Sequence, residues 1–81
     1  MNYSDWQEEN NYLLKEFEFK DFLSAIAFVN RVAEKAELQN HHPDIFIYSY
    51  KKVLITTTTH YQGKITARDR ELAAAIDSLR V

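Results

Sequence analysis

Pro43 is the only proline of this 81-residue chain, and it stands directly after His41-His42. Its ring disfavours helical geometry at the preceding residue, so no helix runs through His42. The segment before the pair has helical periodicity, and the segment after it is rich in β-branched and aromatic residues. The chain therefore changes from helix to strand at its two adjacent histidines. Both imidazoles lie just past a helix C-terminus, where the helix dipole favours a cation.

Working outward from that break gives the element order. Residues 1–5 are polar apart from Met1 and Tyr3 and suit a frayed start. Residues 6–9 predict a short strand, and Asn10-Asn11 a turn, because Asn accepts positive φ. Residues 12–19 predict a second strand, with Leu13, Lys15, Phe17 and Phe19 on one face and Leu14, Glu16 and Glu18 on the other. Asp21 is a candidate N-cap for a long helix. Phe22, Ile26, Val29, Ala33 and Ala36 form its expected core stripe, and the helix should end near Leu38 to Asn40. Residues 45–50 and 53–59 predict two more strands, connected at Lys51-Lys52. The Gln62-Gly63-Lys64 loop leads to Thr66, a good N-cap, and Leu72, Ala75, Ile76 and Leu79 line a final helix. The order β-β-α-β-β-α predicts an α+β, two-layer fold: a four-stranded antiparallel sheet with both helices on one face.

Size and composition narrow the function classes. With 46% hydrophobic residues the chain is globular, and residues 1–81 are expected to form a single domain. A core of this size supplies only about 3–5 kcal/mol, so self-association is expected. The absence of cysteine excludes disulfides, thiolate metal sites and cysteine nucleophiles. No secretory signal pattern and no apolar run of membrane-spanning length are present, which makes the cytoplasm the expected compartment. A net charge of −2 argues against direct nucleic-acid binding. Lys51-Lys52 and Arg68-Asp69-Arg70 are too short and mixed to change that, and they read as a solvated turn and a helix surface.

All three histidines, His41, His42 and His60, join two carboxylates in a possible acid–base set. Pro43 restricts the backbone that carries the pair, and proton transfer needs a donor held within about 2.6–3.2 Å of its target. Each residue also has a simpler explanation. His60 can mark the end of the Thr56-Thr57-Thr58-Thr59 strand, whose threonines reflect β-propensity or offer hydroxyls to a polar ligand. Asp69 occupies the fourth place of a capping box that begins at Thr66. Glu37 reads equally as a solvated helix residue. The spacing fits no compact metal motif, and no metal is expected.

Taken together, Glu37, His41, His42, Pro43, Tyr50, His60 and Asp69 resemble the signature of the pterin-4a-carbinolamine dehydratases. The likeness extends to Phe17-Glu18-Phe19-Lys20-Asp21-Phe22, to Val32-Ala33-Glu34-Lys35-Ala36-Glu37 and to the Asp69 to Ile76 segment. It implies a ββαββα fold and dehydration of 4a-hydroxytetrahydropterins to quinonoid dihydropterins, the step that completes the pterin cycle of aromatic amino-acid hydroxylases. No metal or organic cofactor is implied, and a homodimer or homotetramer is. The resemblance makes His41 and His60 the expected proton-transfer groups, with His42 binding and orienting the pterin. Glu37, Pro43, Thr59 and Asp69 complete the expected binding set, Asp69 also orienting or charging a histidine. Two departures stand out. Many members have a further helix before the strand that Trp6 begins, which this chain is too short to include, so its oligomer is expected to differ. Tyr61 and Lys64 replace the usual Asp and second Gly of the loop after His60. Some members also act as a dimerisation cofactor for a homeodomain transcription factor, so a non-catalytic pterin-binding or protein-interaction module is the alternative.

Overall fold

The computed structural model describes residues 5–79. Residues 1–4 of the expected frayed start lie outside them. The elements are β1 (Gln7–Glu9), β2 (Tyr12–Glu18), α1 (Phe22–Gln39), β3 (Asp44–Tyr48), β4 (Lys52–Thr57) and α2 (Ala67–Asp77). The strands form one antiparallel sheet in the order β1-β2-β4-β3. This is the expected β-β-α-β-β-α fold.

Register explains which sheet face is covered. Leu13 pairs with Thr57, Lys15 with Ile55 and Phe17 with Val53, while Ile45 and Ile47 pair with Ile55 and Val53. Directly paired residues share a face. That face therefore carries the buried Leu13, Phe17, Val53 and Ile55, and Phe28, Val32, Leu72 and Ile76 of the helices pack on it. Lys15 lies on it too, and its ammonium is 2.8 Å from Asp77 Oδ1 at the end of α2. Trp6 Nε1–H donates to the same carboxylate at 3.0–3.1 Å. A buried ammonium demands such a partner.

Local signals hold at the turns and caps. Asn10 and Asn11 have φ of 51° and 69°, and Asp21 accepts the Ser24 N–H at 2.8 Å. Three expectations shift. The stripe of α1 that is buried is Ala25, Phe28, Val32 and Ala36, whereas Phe22 is 50% exposed. Phe28 rotates the helix: its ring lies 4.7 Å from that of Phe17 and 4.8 Å from that of Phe19. In α2 the inward residues are Asp69, Leu72, Ala73 and Ile76 rather than Ala75, and Leu79 packs on the core from beyond the helix, which ends at Asp77. The β3–β4 connection spans residues 49–51, so Lys51 lies in it and Lys52 opens β4, and Ser49 and Tyr50 adopt φ of 49° and 52°. Residues 49–50 therefore leave β3. At the far end of β4, Thr58 leaves the ladder and donates its hydroxyl to the Asn11 carbonyl at 2.7 Å.

Candidate functional site

The histidine pair is aimed by the way α1 stops. Asn40 adopts the left-handed conformation, with φ of 50°. Its N–H donates to Glu37 O at 3.2 Å and the His41 N–H donates to Ala36 O at 3.1 Å. These two bonds constitute a Schellman closure, for which Asn is a tolerated substitute for Gly. The chain turns sharply and carries His41 back toward α2. There His41 is 8% exposed, and its Nε2 lies 2.6 Å from Asp69 Oδ1.

Asp69 reaches that point from the first turn of α2. Its Oδ2 accepts the Thr66 N–H at 2.9 Å, and Thr66 Oγ1 accepts the Arg68 N–H at 3.3 Å, within the expected capping box. Two threonines complete its surroundings. Thr57, on the covered face of β4, donates to Oδ1 at 2.7 Å, and Thr59 donates to Oδ2 at 2.8 Å. Thr59 stays extended after the strand ends, because it bridges to Lys64.

The hydrogen positions around Asp69 follow from its four partners. A carboxylate has about four lone-pair positions. Those of Asp69 are taken by His41, Thr57, Thr59 and the Thr66 N–H. Burial pushes the Asp69 carboxyl up. The His41 bond outweighs it, with the Thr66 N–H and the two hydroxyls, and holds the group down at about 2. Asp69 is thus an anion that only accepts, so His41 Nε2 carries a hydrogen and Nδ1 is the nitrogen left to act elsewhere. Because the Thr59 hydrogen goes to Asp69, the 2.7 Å contact between Thr59 Oγ1 and Thr66 Oγ1 takes its hydrogen from Thr66.

His42 differs sharply from its neighbour. It is exposed, and its Nε2 lies 2.6 Å from Glu37 Oε2 on the last turn of α1. Beside Glu37 is a shallow apolar hollow lined also by Ala33, Glu34 and Leu38. His60 is exposed in the turn after Thr59, and its ring meets Tyr12 edge-on at 6.4 Å between centroids. Among the described residues it makes no hydrogen bond to either of the other histidines. Gly63, at φ of 66°, closes that turn by donating to Thr59 O at 2.9 Å and His60 O at 3.1 Å. Pro43 is half-buried ahead of β3, and Tyr50 is exposed on the β3–β4 turn.

The structure thus joins His41 to Asp69 and Thr59, pairs His42 with Glu37, and leaves His60 and Tyr50 outside both groups. Asp69 and Thr59, expected among the ligand-binding residues, are fully buried, with their side-chain oxygens engaged by the protein. Sequence reasoning missed Thr57 as a specific donor. Its two-residue spacing from Thr59 was the available signal. It also treated Arg68 as surface, yet the guanidinium donates to Asn40 O at 2.7 Å and approaches Gln39 O at 3.5 Å. Among the described residues no three metal-ligating side chains converge, and no helix is long and apolar enough to cross a membrane.

Comparison with known proteins gives this arrangement a context. The family model described as pterin 4 alpha carbinolamine dehydratase matches residues 1–79. A relative from Picosynechococcus sp., which bears the name "Putative pterin-4-alpha-carbinolamine dehydratase", is 44% identical over 77 residues, 95% of this chain and 83% of the relative. One of the same name from Acidobacterium capsulatum is 49% identical over 74 residues, 91% and 79% of the two chains. A crystal structure of a transcriptional coactivator/pterin dehydratase from Brucella melitensis superposes with a TM-score of 0.84 at 32% identity, covering 90% of this chain and 79% of that one. A pterin dehydratase-like protein identified as a RuBisCO assembly factor in the alpha-carboxysome gives 0.74 at 26%, covering 93% and 88%. With the matched model spanning nearly the whole sequence and the fold and identities in agreement, the chain belongs to the pterin 4 alpha carbinolamine dehydratase family.

Proposed function

We propose that this protein dehydrates 4a-hydroxytetrahydropterins to quinonoid dihydropterins. The observation that carries the reading is the buried Asp69 anion bonded to His41, which fixes one imidazole with a defined free nitrogen beside the exposed His42–Glu37 pair. In the reaction the C4a–O bond breaks and the N5–H bond gives up its proton. The N5 electron pair forms the new C4a=N5 double bond, and the departing oxygen takes a proton and leaves as water. One imidazole protonates that oxygen while another accepts the N5 proton, each contributing about 10²–10⁴-fold.

His41 and His60 carry the proton transfers in this reading. His42, paired with Glu37, binds and orients the pterin, and Pro43 stiffens the segment that presents it. Asp69 and Thr59 serve the site by holding His41. The enzyme is taken to be cytoplasmic, a homodimer or homotetramer, and independent of metal or organic cofactor. The test follows disappearance of a 4a-hydroxytetrahydropterin by ultraviolet absorbance. Catalysis by the wild type, slowed in His41→Ala and His60→Ala, is the expected result. Wild-type protein that gives only the uncatalysed rate across pH 6–8 sinks the reading.

A second reading, an interaction module, is favoured by the exposed Phe46 and Tyr48 on the edge strand β3 and Tyr50 just beyond it. Co-purification of a protein partner that survives replacement of His41, His42 and His60 together supports it. Loss of that partner in the triple variant argues against it.

A further inference from the structure

Arg68 occupies a position that its own helix does not explain. It lies in the first turn of α2, where the dipole disfavours a cation. The last turn of α1, where a cation is favoured, contains no basic residue. Arg68 supplies it from across the interface, with its Nη2 2.7 Å from Asn40 O and 3.5 Å from Gln39 O. These carbonyls belong to the closing turn that delivers His41. The next residue, Asp69, takes the His41 side chain. Consecutive residues of α2 thus grip one loop twice, Arg68 by its backbone and Asp69 by its imidazole.

We infer that Arg68 is a positioning residue that sets the placement of the His41-His42 segment against α2. The carboxylate alone fixes one ring atom, and a ring held at one atom can still pivot with its backbone. A guanidinium nitrogen 2.7 Å from the Asn40 carbonyl restrains that backbone, and a lysine, with its shorter reach and more strongly hydrated ammonium, does so less well. Only the kinetic part of the test rests on the dehydratase reading.

Three variants separate the outcomes: Arg68→Ala, Arg68→Lys, and Arg70→Ala as a control, since the Arg70 guanidinium donates to the exposed Glu8 carboxylate, away from the His41 turn. The first measurement is nitrogen-15 NMR of the imidazoles in folded protein, following exchange of the His41 Nε2–H. Exchange is expected to quicken about tenfold or more in Arg68→Ala and to a smaller extent in Arg68→Lys, with Arg70→Ala unchanged. The second is steady-state kinetics, where Arg68→Ala should lose about tenfold or more in kcat, with KM rising by less than in His42→Ala. His41 exchange within twofold of wild type in folded Arg68→Ala overturns the inference. Should that variant not fold, Arg68→Lys decides, and wild-type exchange there overturns it. Should the wild type lack dehydratase activity, the functional reading fails and the exchange measurement still decides the role of Arg68.

Discussion

His41 Nε2 and Asp69 Oδ1 lie 2.6 Å apart across 28 positions of sequence, joining the end of α1 to the start of α2. The bond is buried and charge-assisted, and Asp69 is held in it by Thr57, Thr59 and the Thr66 N–H. Its geometry decides which nitrogen of His41 is free to act.

Asp69→Asn keeps the shape and removes the charge. The amide brings its own hydrogens toward groups that are already donors, leaving buried polar atoms unpaired. A loss of about 2–3 kcal/mol is expected by urea denaturation, with a fall in kcat of about 10²-fold or more as the His41 orientation is lost. A variant with wild-type stability and turnover contradicts the network.

Acid should weaken the fold through this carboxylate. Its folded value is depressed from 3.8 to about 2, so its stabilisation is complete above the unfolded value and disappears as pH falls through the folded one. The expected contribution is about 2 kcal/mol, present at neutral pH and lost between about pH 4 and pH 2. Urea midpoints from pH 2 to 7 measure it, and Asp69→Asn should flatten that limb of the profile.

The two adjacent histidines should respond differently to removal. His41→Ala leaves Asp69 one donor short in a buried site, so both stability and kcat fall, kcat by about 10²–10⁴-fold. His42 and Glu37 are both exposed, and such a pair is worth only about 0–1 kcal/mol to the fold. His42→Ala should therefore keep the wild-type melting temperature within a few degrees while raising KM about tenfold. Equal thermal losses in the two variants would contradict their different burial.

Asn40→Ala tests the turn that aims His41. At φ of 50° an alanine meets its own following carbonyl, which costs about 1–2 kcal/mol. Asn40→Gly relieves the same strain and should be neutral or stabilising. Thermal unfolding of the pair distinguishes this from a role of the Asn side chain, in which both variants would lose equally.

Several elements were legible because their signals are local. The Asn10-Asn11 turn, the Asp21 cap and the Thr66–Asp69 box each involve hydrogen bonds or torsions within one turn of chain. Pro43 ended the helical pattern for a steric reason confined to its neighbour. The apolar arc of α1 was wider than the face that becomes buried. Whether Phe22 or Phe28 turned inward depended on the aromatic rings of Phe17 and Phe19 waiting on the sheet. The β3–β4 turn was misjudged because neither Ser49 nor Tyr50 favours the left-handed region it occupies.

The amino-acid sequence by itself determined where both helices begin and where the first one ends, which strand faces alternate, and that His41-His42 must sit at a helix-to-strand break. Those outcomes follow from backbone sterics and short-range hydrogen bonding, which need no neighbour distant in the chain. Only the tertiary structure decided that His41 is buried on Asp69 while His42 remains in solvent with Glu37. It also chose His41 as the imidazole that the capping Asp69 holds, and drew Arg68 to the end of the other helix. Each of these joins groups from different elements, and their donors and acceptors meet only once both helices have docked on the sheet.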